Sequence, residues 1–281
     1  MTGITDGIIA GYDGSAGSDE AVRWAARETR ARETILTICL AWPPDDLALL
    51  SDPGAWEDAR RRGEAILARG VRLAGSVPDL AEVRTVLAEG SPARVLCERS
   101  GTAEMLVVGS CGHGRLAGSL LGPVSWQLAC HGRGRVVVVR GRWRPVNQSP
   151  GPVVAGIDGS PASQAALTFG LEEAALRDVP LVAVCATADA PGKIGGAAQM
   201  EEEFSRLLTA AEKERPEVTV LRQVTFGAPR SVLLTAAAEA QLLVVGSRGL
   251  GGLDGMSLGS VAGTVLQHSP CPVAIVHPAA R

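Results

Sequence analysis

The stretch VVGSRGLGGLDGMSLGSV, residues 244–261, runs from an apolar segment straight into a loop that contains six glycines. The stretch VVGSCGHGRLAGSLLGPV, residues 107–124, repeats the pattern earlier in the chain. A continuous apolar run is typical of a strand that is buried on both faces of a parallel sheet. Both stretches therefore predict a buried parallel strand followed by a glycine-rich loop.

The chain is an internal duplication. Residues 8–25, IIAGYDGSAGSDEAVRWA, match residues 153–170, VVAGIDGSPASQAALTFG. Residues 89–114 match residues 226–251 in the same way. Because this repeat is as long as a domain, and too long for one unit of a solenoid, it indicates two domains. We predict a first domain over 1–141, a polar linker over 142–151 and a second domain over 152–281.

Strand and helix signals alternate along each half. In the first half, Ser15 is a candidate N-cap for a helix over 18–31, and a polar helix is predicted over 56–75. The last strands of the two halves are predicted over 135–140 and 272–277. Regular alternation of strand and helix implies a parallel sheet with helices on both faces, and right-handed crossovers make it doubly wound. We therefore expect an α/β fold with two tandem doubly wound domains.

The composition argues against several classes of protein. Of 281 residues, 46% are hydrophobic and 20% are charged, as in globular proteins. A net charge of −3 and an aromatic content of 3% provide neither a basic field nor stacking platforms for nucleic acid. The sequence shows no bilayer-spanning apolar run and no signal peptide. We therefore expect a cytoplasmic protein with neither nucleic acid nor membrane as a partner.

The cysteines and histidines do not form a recognisable metal site. The six cysteines include no CxxC pair, and several of them lie in apolar segments. We expect these cysteines to be reduced and to pack as small hydrophobic residues. The four histidines show no ligand spacing with the cysteines, so no metal-binding residue is predicted.

The glycine loop of the second half suits a phosphate group. It leaves the carboxyl end of a strand, where doubly wound sheets bind their ligands, and leads into a helix that begins near Gly259 and Ser260. Helix N-termini expose unpaired N–H groups, and glycines allow a close backbone approach. Ser260 adds a hydroxyl that can donate to a phosphate or help to bind a metal ion. The alternative is that the glycines only make a tight connection between strand and helix.

Asp158 follows the first strand of the same half and is the candidate partner of a nucleoside. Its carboxylate would lie near the same edge of the sheet and could accept hydrogen bonds from ribose hydroxyls or adenine. The alternative is a turn or N-cap aspartate before Gly159 and Ser160. The loop is neither a Walker P-loop, because it has no lysine, nor a GxGxxG fingerprint, which belongs after the first strand.

The spacing Gly246-x2-Gly249-x9-Gly259-Ser260 resembles the ATP-binding signature of universal stress proteins. The resemblance covers nearly the whole chain twice, and it includes the opening GxDGS, the GxP before a helix and the tail HSPCPVAIV. It implies a tandem protein with a five-stranded parallel sheet in each half, in the order 3-2-1-4-5. It also implies an internal pseudo-dimer in which the last strands of the two halves pair, with a further homodimer left open.

The same resemblance assigns a site to each half. In the second half, the residues implied to surround the nucleotide are Gly156, Ile157, Asp158, Ala186, Val245, Gly246, Arg248, Gly249, Gly259, Ser260 and Val261. Of these, Arg248 is either a phosphate contact or an ordinary exposed arginine. In the first half, the implied residues are Gly11, Asp13, Ala41, Gly109, Gly112 and Gly122.

The first half departs from the signature at Pro123, where the family has serine or threonine. Proline removes one N–H and one hydroxyl at the point that should face phosphate. We therefore expect the second half to bind ATP well, and the first half to bind it weakly or not at all.

The function implied is that of an ATP-binding regulatory protein of stress or dormancy, with an unidentified regulatory protein as its partner. ATP is the expected cofactor, and an accompanying Mg²⁺ is left open. One alternative is a slow ATPase or a phosphoryl or nucleotidyl transferase, although the sequence offers no evident general base, so no catalytic residue is predicted. Another alternative is a module that binds AMP or a cyclic nucleotide.

Overall fold

A computed structural model of the chain divides it into two compact units, Met1–Arg142 and Trp143–Arg281. The residues that the structure describes are 7–42, 53–112, 121–140, 151–187, 196–251 and 257–278. The predicted linker 142–151 lies outside these residues except for Gly151.

The first unit is a five-stranded parallel sheet with the strand order β3-β2-β1-β4-β5. Its elements are β1 (Ile8–Gly11), α1 (Ala16–Ala31), β2 (Ile35–Trp42), α2 (Pro53–Ala74), β3 (Glu82–Glu89), α3 (Pro92–Arg99), β4 (Met105–Gly109), α4 (Pro123–His131) and β5 (Arg135–Val139). Helix α1 packs on α2, and α3 packs on α4. These two helix pairs cover the sheet, as right-handed crossovers require.

The second unit repeats this architecture with the strand order β8-β7-β6-β9-β10. Its elements are β6 (Val153–Gly156), α5 (Pro161–Arg177), β7 (Leu181–Thr187), α6 (Gly196–Glu214), β8 (Val220–Phe226), α7 (Pro229–Ala236), a 3₁₀ turn (Ala237–Glu239), β9 (Leu242–Gly246), α8 (Ser260–His268) and β10 (Val273–Val276). The predicted fold class, with two doubly wound units in the order 3-2-1-4-5, is confirmed.

The cores follow from the apolar strands. All four residues of β1 are buried, as are the first four residues of both β4 and β9. Each of these strands lies between two others, so both faces are covered and the run of apolar residues is continuous rather than alternating. The edge strands β3 and β8 are largely exposed and carry charged or polar residues among the apolar ones.

The ends of several elements differ from the predicted ones. Helix α1 begins two residues earlier than predicted, because the Ser15 side chain accepts a hydrogen bond from the Ser18 amide and caps the helix there. Strand β5 ends at Val139 rather than at residue 140, and β10 runs over Val273–Val276 rather than 272–277. Pro272 precedes β10 and has no N–H to donate to a ladder.

In the described part of the chain, no helix is both long enough and apolar enough to cross a membrane.

One glycine of the motif in each unit is required by the packing of a helix on the sheet. Gly246 ends β9 directly below the first turn of α5, and a Cβ at this position would lie 2.6 Å from the carbonyl carbon of Ala162. In the first unit, a Cβ at Gly109 would meet the backbone of Gly17 in α1 in the same way. The missing side chain therefore sets how closely the first helix of each unit can approach the fourth strand of its sheet.

We expect Gly246→Ala to destabilise the second unit by about 1–3 kcal/mol, because the backbone of α5 must move to admit the methyl group. Gly251→Ala is the matched control, since a Cβ at Gly251 has no atom within 4 Å. Urea denaturation followed by circular dichroism measures both variants. Equal midpoints for the two variants would show that α5 does not depend on this glycine.

Candidate functional site

The carboxyl ends of the strands in the second unit open into one cavity of about 500 Å³. Parallel strands end at the same edge of a sheet, so residues far apart in sequence meet there. The cavity is lined by every residue predicted for this half, namely Gly156, Ile157, Asp158, Ala186, Val245, Gly246, Arg248, Gly249, Gly259, Ser260 and Val261. The structure therefore brings all of them together, while their contact with a ligand stays a prediction.

Asp158 connects the end of β6 to the glycine loop. One carboxylate oxygen, Oδ1, accepts from the amide of Ser160 at 3.0 Å, and the other, Oδ2, accepts from the amide of Leu250 at 3.0 Å. The turn between Asp158 and Ser160 needs a glycine, because Gly159 has a φ of 86°. The turn role that the sequence offered for Asp158 is therefore present. The bond to Leu250, 92 residues away, is a second role that the sequence did not indicate.

Gly249 lies directly against the Asp158 carboxylate. A Cβ at Gly249 would collide with Asp158 Oδ2. The glycine thus allows the loop to descend onto the aspartate. In contrast, a Cβ at Gly259 would make only ordinary contacts, the nearest being the Ser247 carbonyl oxygen at 3.4 Å. Packing accounts for Gly246 and Gly249, and it leaves Gly259 as the motif glycine that the protein's own contacts do not require.

Further hydrogen bonds hold the start of the loop in place. The hydroxyl of Ser160 donates to the carbonyl oxygen of Arg248 at 3.2 Å. The amide of Gly259 donates to the carbonyl oxygen of Ser247 at 2.8 Å. Together with the bond from Leu250 to Asp158, these contacts fix residues 247–250 before any ligand arrives. A ligand that binds there need not supply the free energy of ordering this segment.

Helix α8 points its N-terminus at the cavity. Gly259 is its N-cap, and the cap makes no side-chain hydrogen bond. The first amides of an α-helix have no acceptor within the helix itself, which gives this end a partial positive charge. The exposed side chain of Ser260 stands at the start of that turn. This end of the cavity is therefore suited to an anion.

Arg248 is exposed and also lines the cavity, which is compatible with either of its predicted roles, a phosphate contact or an ordinary exposed arginine. It makes no ion pair with a carboxylate in the described part of the chain. Its guanidinium group is therefore available to a ligand. Cys185 lies in β7 between the lining residues Val184 and Ala186. Burial raises the pKa of its thiol to about 11, and the nearby Asp158 charge adds to the shift. Cys185 is therefore neutral at physiological pH.

The first unit contains a corresponding but smaller cavity of about 310 Å³. It is lined by all the residues predicted for this half, namely Gly11, Asp13, Ala41, Gly109, Gly112 and Gly122. Asp13 repeats the turn bond, accepting from the amide of Ser15 at 3.0 Å, and a Cβ at Gly112 would collide with its carboxylate. Pro123 begins α4 and also lines the cavity.

One wall of each cavity is formed by a helix that was not predicted to contribute to the site. Pro229 and Leu233 of α7 line the second cavity, and Pro92 and Leu96 of α3 line the first. The two residues of each pair are four apart, so they share one face of a helix. In the sequence, this wall is indicated by the GxP at the start of each helix, followed by a leucine one turn later.

All six cysteines lie among the described residues, and none of them forms a disulfide. Among the described residues, no group of three or more His, Cys, Asp or Glu side chains is arranged to hold a metal ion.

Comparisons with known proteins agree with the repeat and the fold. A sequence model described as the universal stress protein family matches residues 5–140 and again residues 151–277. A universal stress protein of Mycolicibacterium smegmatis is 38% identical over 286 residues, which cover 97% of this chain and 97% of the relative. One of Mycobacterium tuberculosis is 36% identical over 288 residues, with 96% of each chain covered.

A solved structure extends the likeness to three dimensions. The crystal structure of a universal stress protein from Archaeoglobus fulgidus aligns with a TM-score of 0.76 at 19% identity, covering 98% of this chain and 99% of that one. At this identity the likeness concerns the fold alone.

We expect Asp158→Ala to release the start of the glycine loop, because the Leu250 amide loses its carboxylate acceptor. A hydrogen bond to a charged group contributes about 1.5–3 kcal/mol, so the Leu250 amide should exchange with solvent roughly ten to a hundred times faster. Hydrogen exchange read by NMR measures this rate. Glu202→Ala removes an exposed carboxylate on α6 and serves as the control. Unchanged exchange at Leu250 in Asp158→Ala would contradict the tether.

Proposed function

Because the chain belongs to the universal stress protein family, we propose that it is an ATP-binding regulatory protein of the stress response, with the nucleotide in the second cavity. The observation that carries the proposal is the convergence of three features on this cavity. They are the Asp158 carboxylate, the tethered glycine loop and the N-terminus of α8. Its volume of about 500 Å³ lies within the range of small-molecule sites.

The nucleoside would occupy the end of the cavity near β6 and β7. Asp158 keeps acceptor capacity beyond its two backbone bonds, because a carboxylate can accept about four hydrogen bonds, and ribose hydroxyls are suitable donors. The backbone of Ala186 would add polar contacts to the base. The apolar side chains of Val245 and Leu233 provide a surface for the adenine ring.

The phosphates would lie at the other end, against α8. The unpaired amides of its first turn, the Ser260 hydroxyl and the Arg248 guanidinium offer hydrogen-bond donors and positive charge. A Mg²⁺ ion would arrive with the triphosphate, since Mg²⁺ in nucleotide sites keeps phosphate oxygens and water as ligands. The Ser260 hydroxyl is the protein oxygen best placed to join them.

Occupancy of the cavity would be the regulatory signal. The nucleotide contacts residues 247–251 on the surface of the unit, where Leu250 is 67% exposed. A partner that contacts this loop would therefore meet a different charge and shape with and without ATP. The first cavity would hold ATP weakly or not at all, because Pro123 offers neither the N–H nor the hydroxyl that Ser260 supplies.

We expect isothermal titration of the full chain with ATP to give about one tight site per chain. Ser260→Ala should weaken ATP binding roughly ten- to a hundredfold, through the loss of one hydrogen bond to a charged group. Thr264→Ala is the matched control, because its hydroxyl sits one turn further along α8 and donates to the Ser260 carbonyl oxygen at 2.8 Å. Binding of AMP should change little in either variant.

Three results would contradict the proposal. Two equal tight sites per chain would refute the role given to Pro123. An equal loss of ATP and AMP binding in Ser260→Ala would favour a monophosphate site. Steady accumulation of ADP during incubation, measured by ion-exchange chromatography after denaturation, would replace a binding protein with an ATPase.

A further inference from the structure

We propose that the first cavity is a separate site for an uncharged nucleoside, rather than a weakened copy of the ATP site. The inference concerns the group of residues in the first unit that the proposed function leaves without a ligand. It rests on the proposed function for the choice of adenosine as the nucleoside. The nucleoside end of the first cavity matches that of the second, whereas its phosphate end does not.

The nucleoside end of the first cavity is intact. Asp13, Ala41 and Val108 occupy the positions that Asp158, Ala186 and Val245 hold in the second unit, and all three line the cavity. Leu96 of α3 supplies the same apolar wall as Leu233 of α7. A carboxylate acceptor beside an apolar wall suits a flat ring attached to hydroxyl groups, which is the chemistry of a nucleoside.

The nucleoside end of the first cavity is also braced by side chains from two helices. The Tyr12 hydroxyl donates to Asp19 Oδ1 at 2.8 Å, and Arg69 of α2 pairs with the same carboxylate. Arg69 also donates to the carbonyl oxygen of Gly14, in the turn that follows Asp13, at 2.9 Å. A tyrosine that lines a cavity and anchors its turn in this way prepares the site for a ligand before the ligand binds.

The second unit braces the corresponding turn differently, because Gln164 Nε2 donates to the carbonyl oxygen of Gly159 at 3.0 Å. At the positions of Tyr12 and Asp19, the second unit has Ile157 and Gln164, which cannot form the same pair. The first unit therefore carries its own stabilisation of the nucleoside end, although its phosphate end has changed.

The phosphate end has lost its donors at two positions. Pro123 stands where Ser260 stands in the second unit, and Cys111 stands where Arg248 stands. A third difference is Ser125, in the position of Ala262. Its hydroxyl is turned toward the sheet and donates to the carbonyl oxygen of Gly109 at 2.7 Å. None of these side chains offers a phosphate the charge or the hydrogen bonds that the second cavity offers.

The charge of the side chains that line the first cavity also disfavours a phosphate. Among the described residues that line the first cavity, Asp13 carries the one formal charge, and it is negative. Arg140 lies near enough to Cys111 to interact with it electrostatically, and it is not part of the lining. The cavity volume is about 310 Å³, compared with about 500 Å³ for the second. A smaller cavity with a negative lining favours a neutral ligand over a polyphosphate.

The tryptophans provide a reporter for this unit. The five tryptophans of the chain lie at positions 24, 42, 56, 126 and 143, so residues 152–281 contain none. Trp42 follows Ala41 directly, and its ring centroid is 4.8 Å from that of Trp56. Because Trp143 opens the second unit, the tryptophan fluorescence of the full chain carrying Trp143→Phe reports on the first unit.

The experiment is a fluorescence titration of the full chain carrying Trp143→Phe with adenosine and, separately, with ATP. We expect adenosine to change the tryptophan fluorescence at a concentration at least about tenfold lower than ATP. Asp13→Asn should weaken the adenosine response, while Asp158→Asn, the matched control in the other unit, should leave it unchanged. Pro123→Ser should lower the concentration of ATP needed for a response.

A second readout does not depend on fluorescence. Cys111 lines the first cavity and is partly exposed, so bound adenosine should slow its alkylation by iodoacetamide, as measured by peptide mass spectrometry. Cys130 lies on the same unit outside the lining and is the internal control.

The outcomes separate this inference from the proposed function. The inference is overturned if ATP acts at the first unit as effectively as adenosine, or if adenosine neither changes fluorescence nor protects Cys111. If adenosine has neither effect but ATP still binds in a way that depends on Asp158, the proposed function stands without the inference. If adenosine acts through Asp13 while calorimetry finds no ATP binding, the inference stands and the proposed function fails.

Discussion

The second cavity depends on one carboxylate that joins two segments far apart in sequence. Asp158 accepts from Ser160, which closes its own turn, and from Leu250, which fixes the glycine loop against the sheet. Without this bond, the loop would have to be ordered by its ligand, and part of the binding free energy would be lost to that ordering. The requirement for glycine at 249 has the same origin, because only a residue without a Cβ can lie against the aspartate.

The two units share this frame and differ in what they place around it. Asp13 and Gly112 reproduce the contact between aspartate and glycine in the first unit. A duplicated frame can be kept while individual positions change, since helix starts and loop side chains contribute little to the core. Pro123 illustrates this, because proline is well suited to the first position of a helix even though it has no N–H or hydroxyl to donate a hydrogen bond. The fold is therefore indifferent to a substitution that alters the chemistry of the site.

Under the two proposals, a protein with two such cavities would respond to two features of the nucleotide pool. The second cavity offers charge and hydrogen bonds to phosphates, and the first offers a braced acceptor with few groups for an anion. Within each unit, the ligand end of the sheet is assembled from strand ends, a loop and one helix N-terminus. A ligand that joins these elements would stabilise the unit by mass action, so nucleotide levels would also affect its stability.

The sequence alone determined the repeat, the alternation of strands and helices, the parallel strands of each sheet and the spacing of the glycines. These features follow from local periodicity and from turn and cap residues such as Ser15, which act over a few positions. The resemblance to universal stress proteins supplied the strand order and the predicted members of the two cavities, which meet because the strand ends of a parallel sheet lie at one edge. Only the tertiary structure showed that Gly246 and Gly249 are needed by α5 and Asp158. It alone placed Tyr12 and Arg69 on either side of Asp19. Apart from the bond between Tyr12 and Asp19, these contacts join residues about 50 to 90 positions apart, and no local pattern in the chain records which distant side chain will be opposite.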